Sequence, residues 1–144
     1  MAIKLKLEGF DDLLSEIEKA GGTIDDAAQK CLRKSADIMQ DELTAQMQQS
    51  NVDGGLINRM PPPEIESAGN RYTARVGYKK GNFDENNPSD GYKVVFANYG
   101  TPRRSKHGQQ PAKGFIQRAK KKASKKIKKA QAETLNKILG GLNK

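Results

Sequence analysis

The chain contains no tryptophan, a single cysteine and a single histidine, and each shortage closes off a class of protein. One cysteine, Cys31, cannot make an internal disulfide, so the fold is not a disulfide scaffold of the secreted kind. One histidine, His107, lies between Lys106 and Gly108 with no cysteine or second histidine near it in sequence. It therefore reads as an exposed loop residue and not as a metal ligand or general base. No apolar run approaches the roughly 18 residues of a membrane span. No secretion signal precedes the first acidic residues, so the expectation is a protein made in the cytoplasm with no membrane partner. Phosphate-loop, dinucleotide and nucleophile-elbow patterns are also missing. The stretch Asp84-Glu85-Asn86-Asn87-Pro88-Ser89-Asp90-Gly91 has calcium-binding residue types but not the alternation of a calcium loop, nor a closing glutamate, and reads as a solvated loop. These absences predict no enzyme, no metal and no cofactor.

What is present is charge, unevenly distributed. Residues 1–70 hold 7 Lys+Arg against 13 Asp+Glu, a net of −6, and residues 71–144 hold 19 against 4, a net of +15. Such a dipolar chain can attract a polyanion through its basic half or another copy of itself through both halves. Hydrophobic residues make up only 35%, and the large core pieces must come from four Tyr, four Phe and the aliphatics. At 144 residues the expectation is one domain with a modest core.

The hydrophobic pattern then sets the elements. Ile3, Leu5 and Leu7 alternate with Lys4 and Lys6, which predicts a short half-buried strand over residues 1–7. Phe10, Leu13, Leu14 and Ile17 follow at helical spacing until Gly21-Gly22 stops them. Thr23 is a good N-cap for a second helix, with Asp25 and Asp26 where the helix dipole favours them. Ile24, Ala28, Cys31, Leu32, Ala36, Met39, Leu43 and Met47 share one face, so this helix runs over residues 23–49. Its length, roughly 40 Å at 1.5 Å per residue, requires a sheet or another long helix beneath it. Cys31 on that stripe reads as an inert core thiol.

Residues 50–63, with Gly54-Gly55 and Pro61-Pro62-Pro63, predict an exposed loop. Ile65 and Ser67, a turn at Gly69-Asn70, and the alternation of Tyr72, Ala74, Val76 and Tyr78 predict a β-hairpin. Residues 79–91 form a polar loop. Tyr92 to Ala97, apolar on nearly both faces, predicts a strand in the centre of the sheet, leaving it at Tyr99-Gly100-Thr101. From Phe115 a helical period returns through Ile116, Ala119, Ala123, Ile127, Ala130, Leu135 and Ile138, ending at residue 139 before Gly140-Gly141. The fold class expected is α+β, with a small, mainly antiparallel sheet, two long helices and a short N-terminal one.

The last helix holds the strongest electrostatic signal. Residues 113–129 contain nine cations and no acid, a self-repelling arrangement that lowers helix stability unless something offsets it. A phosphate backbone, the acidic half of a neighbouring copy, or simple solvation can each do so, and the three remain open. No helix-turn-helix pattern accompanies the lysines, few Asn, Gln or Ser stand among them to read base edges, and no aromatic is there to stack on single strands.

The order of elements, with certain short motifs, resembles the tail-component or head–tail joining (tail-completion, minor tail) proteins of long-tailed double-stranded DNA phages and prophages. The matching residues are Gly9-Phe10-Asp11-Asp12-Leu13-Leu14 at the first helix and Gly54-Gly55-Leu56 after the long one. They continue with Tyr99-Gly100-Thr101, then Pro111 through Phe115, and Arg118-Ala119. The chain departs from that pattern at Asn98, where the family usually has Glu, and at Gly114 and Arg118, where it prefers Pro.

The resemblance implies a non-catalytic structural virion protein, acting at the tail or head–tail interface. It implies several copies in a ring around the DNA channel, contacting tail-tube and head-connector proteins and, without sequence preference, packaged DNA. Under this reading Arg103, Arg104, Arg118, Lys121, Lys122, Lys125, Lys128 and Lys129 are the partner or channel contacts. Tyr99, Gly100, Thr101 and Phe115 form the structural junction, and residues 51–63, 79–91 and 102–114 are contact arms. The alternative expectation is a nucleic-acid-binding protein that uses the lysine-rich helix.

Overall fold

The long apolar stripe beginning at Ile24 sets the architecture. In the computed structural model, which describes residues 2–7, 9–68, 71–79, 81, 88–101 and 111–142, this stripe is the buried face of the helix α2 (Ile24–Gln49). Thr23 caps it, its side-chain oxygen accepting from the amide of Asp26 at 3.3 Å. The other elements are β1 (Ala2–Lys6), α1 (Asp11–Lys19), α3 (Gly54–Asn58), β2 (Glu64–Ala68), β3 (Arg71–Gly77), α4 (Asp90–Tyr99) and α5 (Phe115–Leu142). The result is α+β: a three-stranded antiparallel sheet of order β1-β3-β2 with five helices among the described residues, two of them long.

Pairing of Ile3 with Val76, and of Leu5 and Ile65 with Ala74, places the apolar residues of all three strands on the face that packs against α2. The opposite face holds Lys4, Lys6, Arg75, Glu64 and Glu66, as period-two alternation requires. The turn at residues 69–70 lies outside the described residues.

Helix α5 lies antiparallel against α2, as three cross-links show. Cys31 meets the carbonyl of Gln131, Lys126 pairs with Glu42, and Arg118 reaches Gln46. Small buried residues line the contact, among them Ala28, Ala36, Ala119, Ala123 and Ala130, which lets the two backbones approach closely. Farther along, Leu14, Ile17, Ala27, Cys31 and Leu135 form a second cluster that seats α1.

Three expectations are corrected. Residues 92–97 are not a central strand but most of α4, whose buried residues Gly91, Val94 and Asn98 recur at helical spacing. The β-branched pair Val94-Val95 and the apolar flanks imitate a buried strand, but tertiary packing overrides that propensity. Residues 51–63 are not simply an exposed loop. They contain α3, with Val52 and Leu56 buried and Leu56 accepting a 2.6 Å hydrogen bond at its carbonyl from the Tyr78 hydroxyl. That burial pushes the Tyr78 hydroxyl up to about 12. Finally, α5 does not stop before Gly140 but continues to Leu142, whose side chain lies over Gly22. A Cβ at Gly22 would come within 2.6 Å of Leu142, so the Gly21-Gly22 stop also makes room for the end of α5.

Arg59 at the end of α3 grips Asp90 at the start of α4 through two nitrogens, at 3.0 and 3.2 Å. This guanidinium holds the Asp90 carboxyl below its usual range.

Candidate interaction surface

The junction between α4 and α5 is built from backbone groups that a helix end leaves without partners. The amides of Lys113 and Gly114 donate to the carbonyls of Ala97 and Asn98 at 3.2 and 3.0 Å, closing the last turn of α4. Gly100 ends that helix at φ 83°, its amide bonded to the carbonyl of Phe96. Glycine takes this positive φ without strain, and what Gly100 terminates is a helix and not the expected strand.

Asn98 performs the decisive step. Fully buried, it accepts from the Ile116 amide at 2.8 Å through Oδ1 and so caps the start of α5. Its Nδ2 has no hydrogen-bond partner among the described residues. Gly114, immediately before α5, stands at φ 63°. A proline, fixed near −65°, cannot occupy that conformation, so the departure from the resembled pattern at this position follows from this backbone.

The four junction residues separate on inspection. Phe115 is fully buried in the main core, Tyr99 is 59% exposed, and Gly100 and Thr101 are half-buried. The cations separate as well. Arg118 is exposed but committed: it donates to Gln46 Oε1, to Ser50 Oγ and, at 2.7 Å, to the carbonyl of Lys113. It therefore ties the first turn of α5 to the last turns of α2. Lys113 reinforces the tie, its Nζ donating to the carbonyl of Asn51, which holds φ 57°. Lys113 and Gly114 are thus fastened to the fold and are not part of a free arm. Arg103, Arg104 and His107, and most of the expected arm at 102–114, lie outside the described residues, as do residues 82–87 of the loop at 79–91.

The lysines on the outer face of α5 remain. Lys120, Lys121, Lys122, Lys125, Lys126, Lys128 and Lys129 are all exposed. Lys126 pairs with Glu42; the other six make no ion pair among the described residues. Between them only Ser124 offers a hydrogen-bonding side chain. The face is a fixed row of like charge on a helix anchored along its whole opposite side.

The sequence pattern gives no weight to Gln46, Ser50 and Lys113, because their meaning comes from partners 62 to 72 residues away that no local spacing shows. Asn98 has a local signal, a short polar residue closing an apolar run, but its capping target is distant. Cys31 is buried, as its place on the α2 stripe predicts, and burial pushes its thiol up to about 11. At pH 8 only ~0.1% would be thiolate, so a thiol reagent should label native protein far more slowly than unfolded protein. Prompt stoichiometric labelling without denaturant would contradict this placement.

Among the described residues no cluster of three or more His, Cys, Asp or Glu could hold a metal ion, and no helix is long and apolar enough to cross a membrane. Comparison with protein-family models, with curated proteins and with solved structures returns no match to this chain.

Proposed function

We propose that this chain is a structural subunit of phage tail assembly or head–tail joining, repeated in a ring and without catalysis. One observation carries the reading: a row of six exposed lysines without ion-pair partners among the described residues, on a rigid, core-anchored helix, in a chain whose first half is acidic. Asp11, Asp12, Glu16 and Glu18 on α1, with Asp25, Asp26, Asp37 and Asp41 on α2, are exposed and supply the opposite sign. A subunit with two unlike charged surfaces packs head to tail, and a rotation closes such contacts into a ring. Tail-tube and head-connector proteins are the neighbours that the motif resemblance suggests, and packaged DNA is a neighbour the lysines tolerate.

The same lysines favour a second reading, nucleic-acid binding as the main task. A titration of nuclease-treated protein against labelled duplex DNA at several salt concentrations separates the two. If all six lysines met phosphates, log K would fall against log salt with a slope of about −5. The assembly reading predicts weak, sequence-indifferent binding that is gone near physiological salt. Tight binding that survives such salt and discriminates between sequences overturns it.

A further inference from the structure

Among the described residues the sheet has two free edges, and they carry opposite charge. In the order β1-β3-β2 the outer strands each pair on one side only, and among the described residues no other backbone bonds to their outer edges. β1 reads Ala-Ile-Lys-Leu-Lys and β2 reads Glu-Ile-Glu-Ser-Ala, five residues each. Their charged residues occupy the same face of the sheet, Lys4 and Glu64 both opposite Arg75, Lys6 and Glu66 both opposite Thr73. Their apolar residues, Ile3, Leu5 and Ile65, share the other face.

The β1 edge is also open to a strand. A groove of about 490 Å³ runs beside it, walled on one side by each residue from Ile3 to Lys6 and on the other by Lys120, Ile127 and Lys128 of α5. Because residues from both faces of β1 line it, the groove follows the strand's edge. Ile3, Leu5, Phe10, Met39 and Ile127 give it an apolar lining, and its charged lining residues are all cationic.

We propose that β2 of a second copy occupies this groove, pairing with β1 and continuing the sheet from subunit to subunit. Both β1 and β2 run antiparallel to β3, hence parallel to each other, so copying the sheet sideways makes a parallel joint. That joint sets Glu64 and Glu66 beside the neighbour's Lys4 and Lys6, and Ile65 beside its Ile3 and Leu5. The internal pairs Lys79–Glu64 and Arg75–Glu66 are solvent-exposed, and such pairs yield readily to new partners. Symmetric alternatives are disfavoured: β1 against β1 opposes lysines, and β2 against β2 opposes glutamates. Pro61-Pro62-Pro63 directly precedes β2 and keeps the donated strand short. Closing the series into a ring leaves no free edge. This inference rests on the assembly reading above and names its subunit contact.

Charge reversal tests it, with mass read by sedimentation velocity across a concentration series and folding checked by circular dichroism. Lys4→Glu with Lys6→Glu should raise the concentration for half-association roughly tenfold or more, and so should Glu64→Lys with Glu66→Lys. An equimolar mixture of the two variants should associate again, because each acidic edge then meets a basic one. The chain carrying all four substitutions should also self-associate. Association that ignores these reversals overturns the edge pairing and leaves a ring built on another surface. Wild-type protein that stays monomeric at every accessible concentration also overturns it, and assigns the groove to an acidic strand of another protein. The assembly reading itself is decided separately, by particle formation.

Discussion

Truncating Phe115 to alanine should destabilise the protein by about 3–5 kcal/mol. Phe115 is the first residue of α5, wholly buried, and heads the fully buried side chains by size. It stands in the main cluster with Leu43, Met47, Val94 and Ala119. Its removal leaves a cavity where α2, α4 and α5 meet, bounded by backbone that the Lys113 and Gly114 hydrogen bonds hold in place. Such a site collapses poorly, which puts the cost toward the upper part of the range. Urea unfolding followed by circular dichroism reads the effect as a lower midpoint. A loss below about 1 kcal/mol, typical of a half-exposed position, would mean that Phe115 is not seated as described.

Replacing Asn98 with leucine should cost roughly 2–3 kcal/mol, although the side chain becomes more apolar. Ordinarily a buried amide exchanged for a hydrocarbon of similar size is tolerated, and removal of the unpartnered Nδ2 is by itself favourable. The cap decides the sign: leucine cannot accept from the Ile116 amide, which then stays buried without a partner. The specific readout is amide hydrogen exchange at Ile116, which should accelerate more than exchange in the middle of α5. Unchanged protection there would show that Asn98 fills space and does not cap.

These two residues also show what the sequence reveals and what it hides. Phe115 was legible because a helical apolar stripe starts at it, and the α2 stripe was legible for the same reason, sustained over 26 residues. The hairpin and the Thr23 cap follow from equally local rules. The α4 segment was not legible. Tyr92-Lys93-Val94-Val95-Phe96-Ala97 is short enough to satisfy a strand, and only Gly91, Val94 and Asn98 facing the core together reveal the helix. Helix α3 was hidden for a related reason. Gly54-Gly55 signals a loop, while the burial of Leu56 and the Tyr78 bond that hold the turn are tertiary.

The site divides along the same line. Exposure of the α5 lysines follows from the narrow alanine-rich stripe opposite them. Arg118 belongs to the same cationic run in sequence, yet the fold spends it on Gln46, Ser50 and Lys113. A charge run identifies a surface, and only the contacts show which of its members remain available to a partner.

The central claim is that the remaining lysines are an assembly surface, and one triple variant tests it most directly. Lys121→Glu, Lys125→Glu and Lys128→Glu reverse exposed charges on α5 that contribute nothing to the core. In the isolated chain the changes at 121 and 125 gain opposite-charge neighbours one turn away in Arg118, Lys122 and Lys129, while the 121–125 and 125–128 pairs stay like-charged, each pair being worth about 0.2–0.5 kcal/mol. The thermal midpoint should therefore hold or rise slightly. The measurement is the yield of completed tailed particles, counted by electron microscopy, when this variant replaces the wild-type chain in the genome that encodes it. Few or no complete particles, from a variant that is folded and present at normal levels, is the predicted result. Complete particles at the wild-type yield would contradict the account.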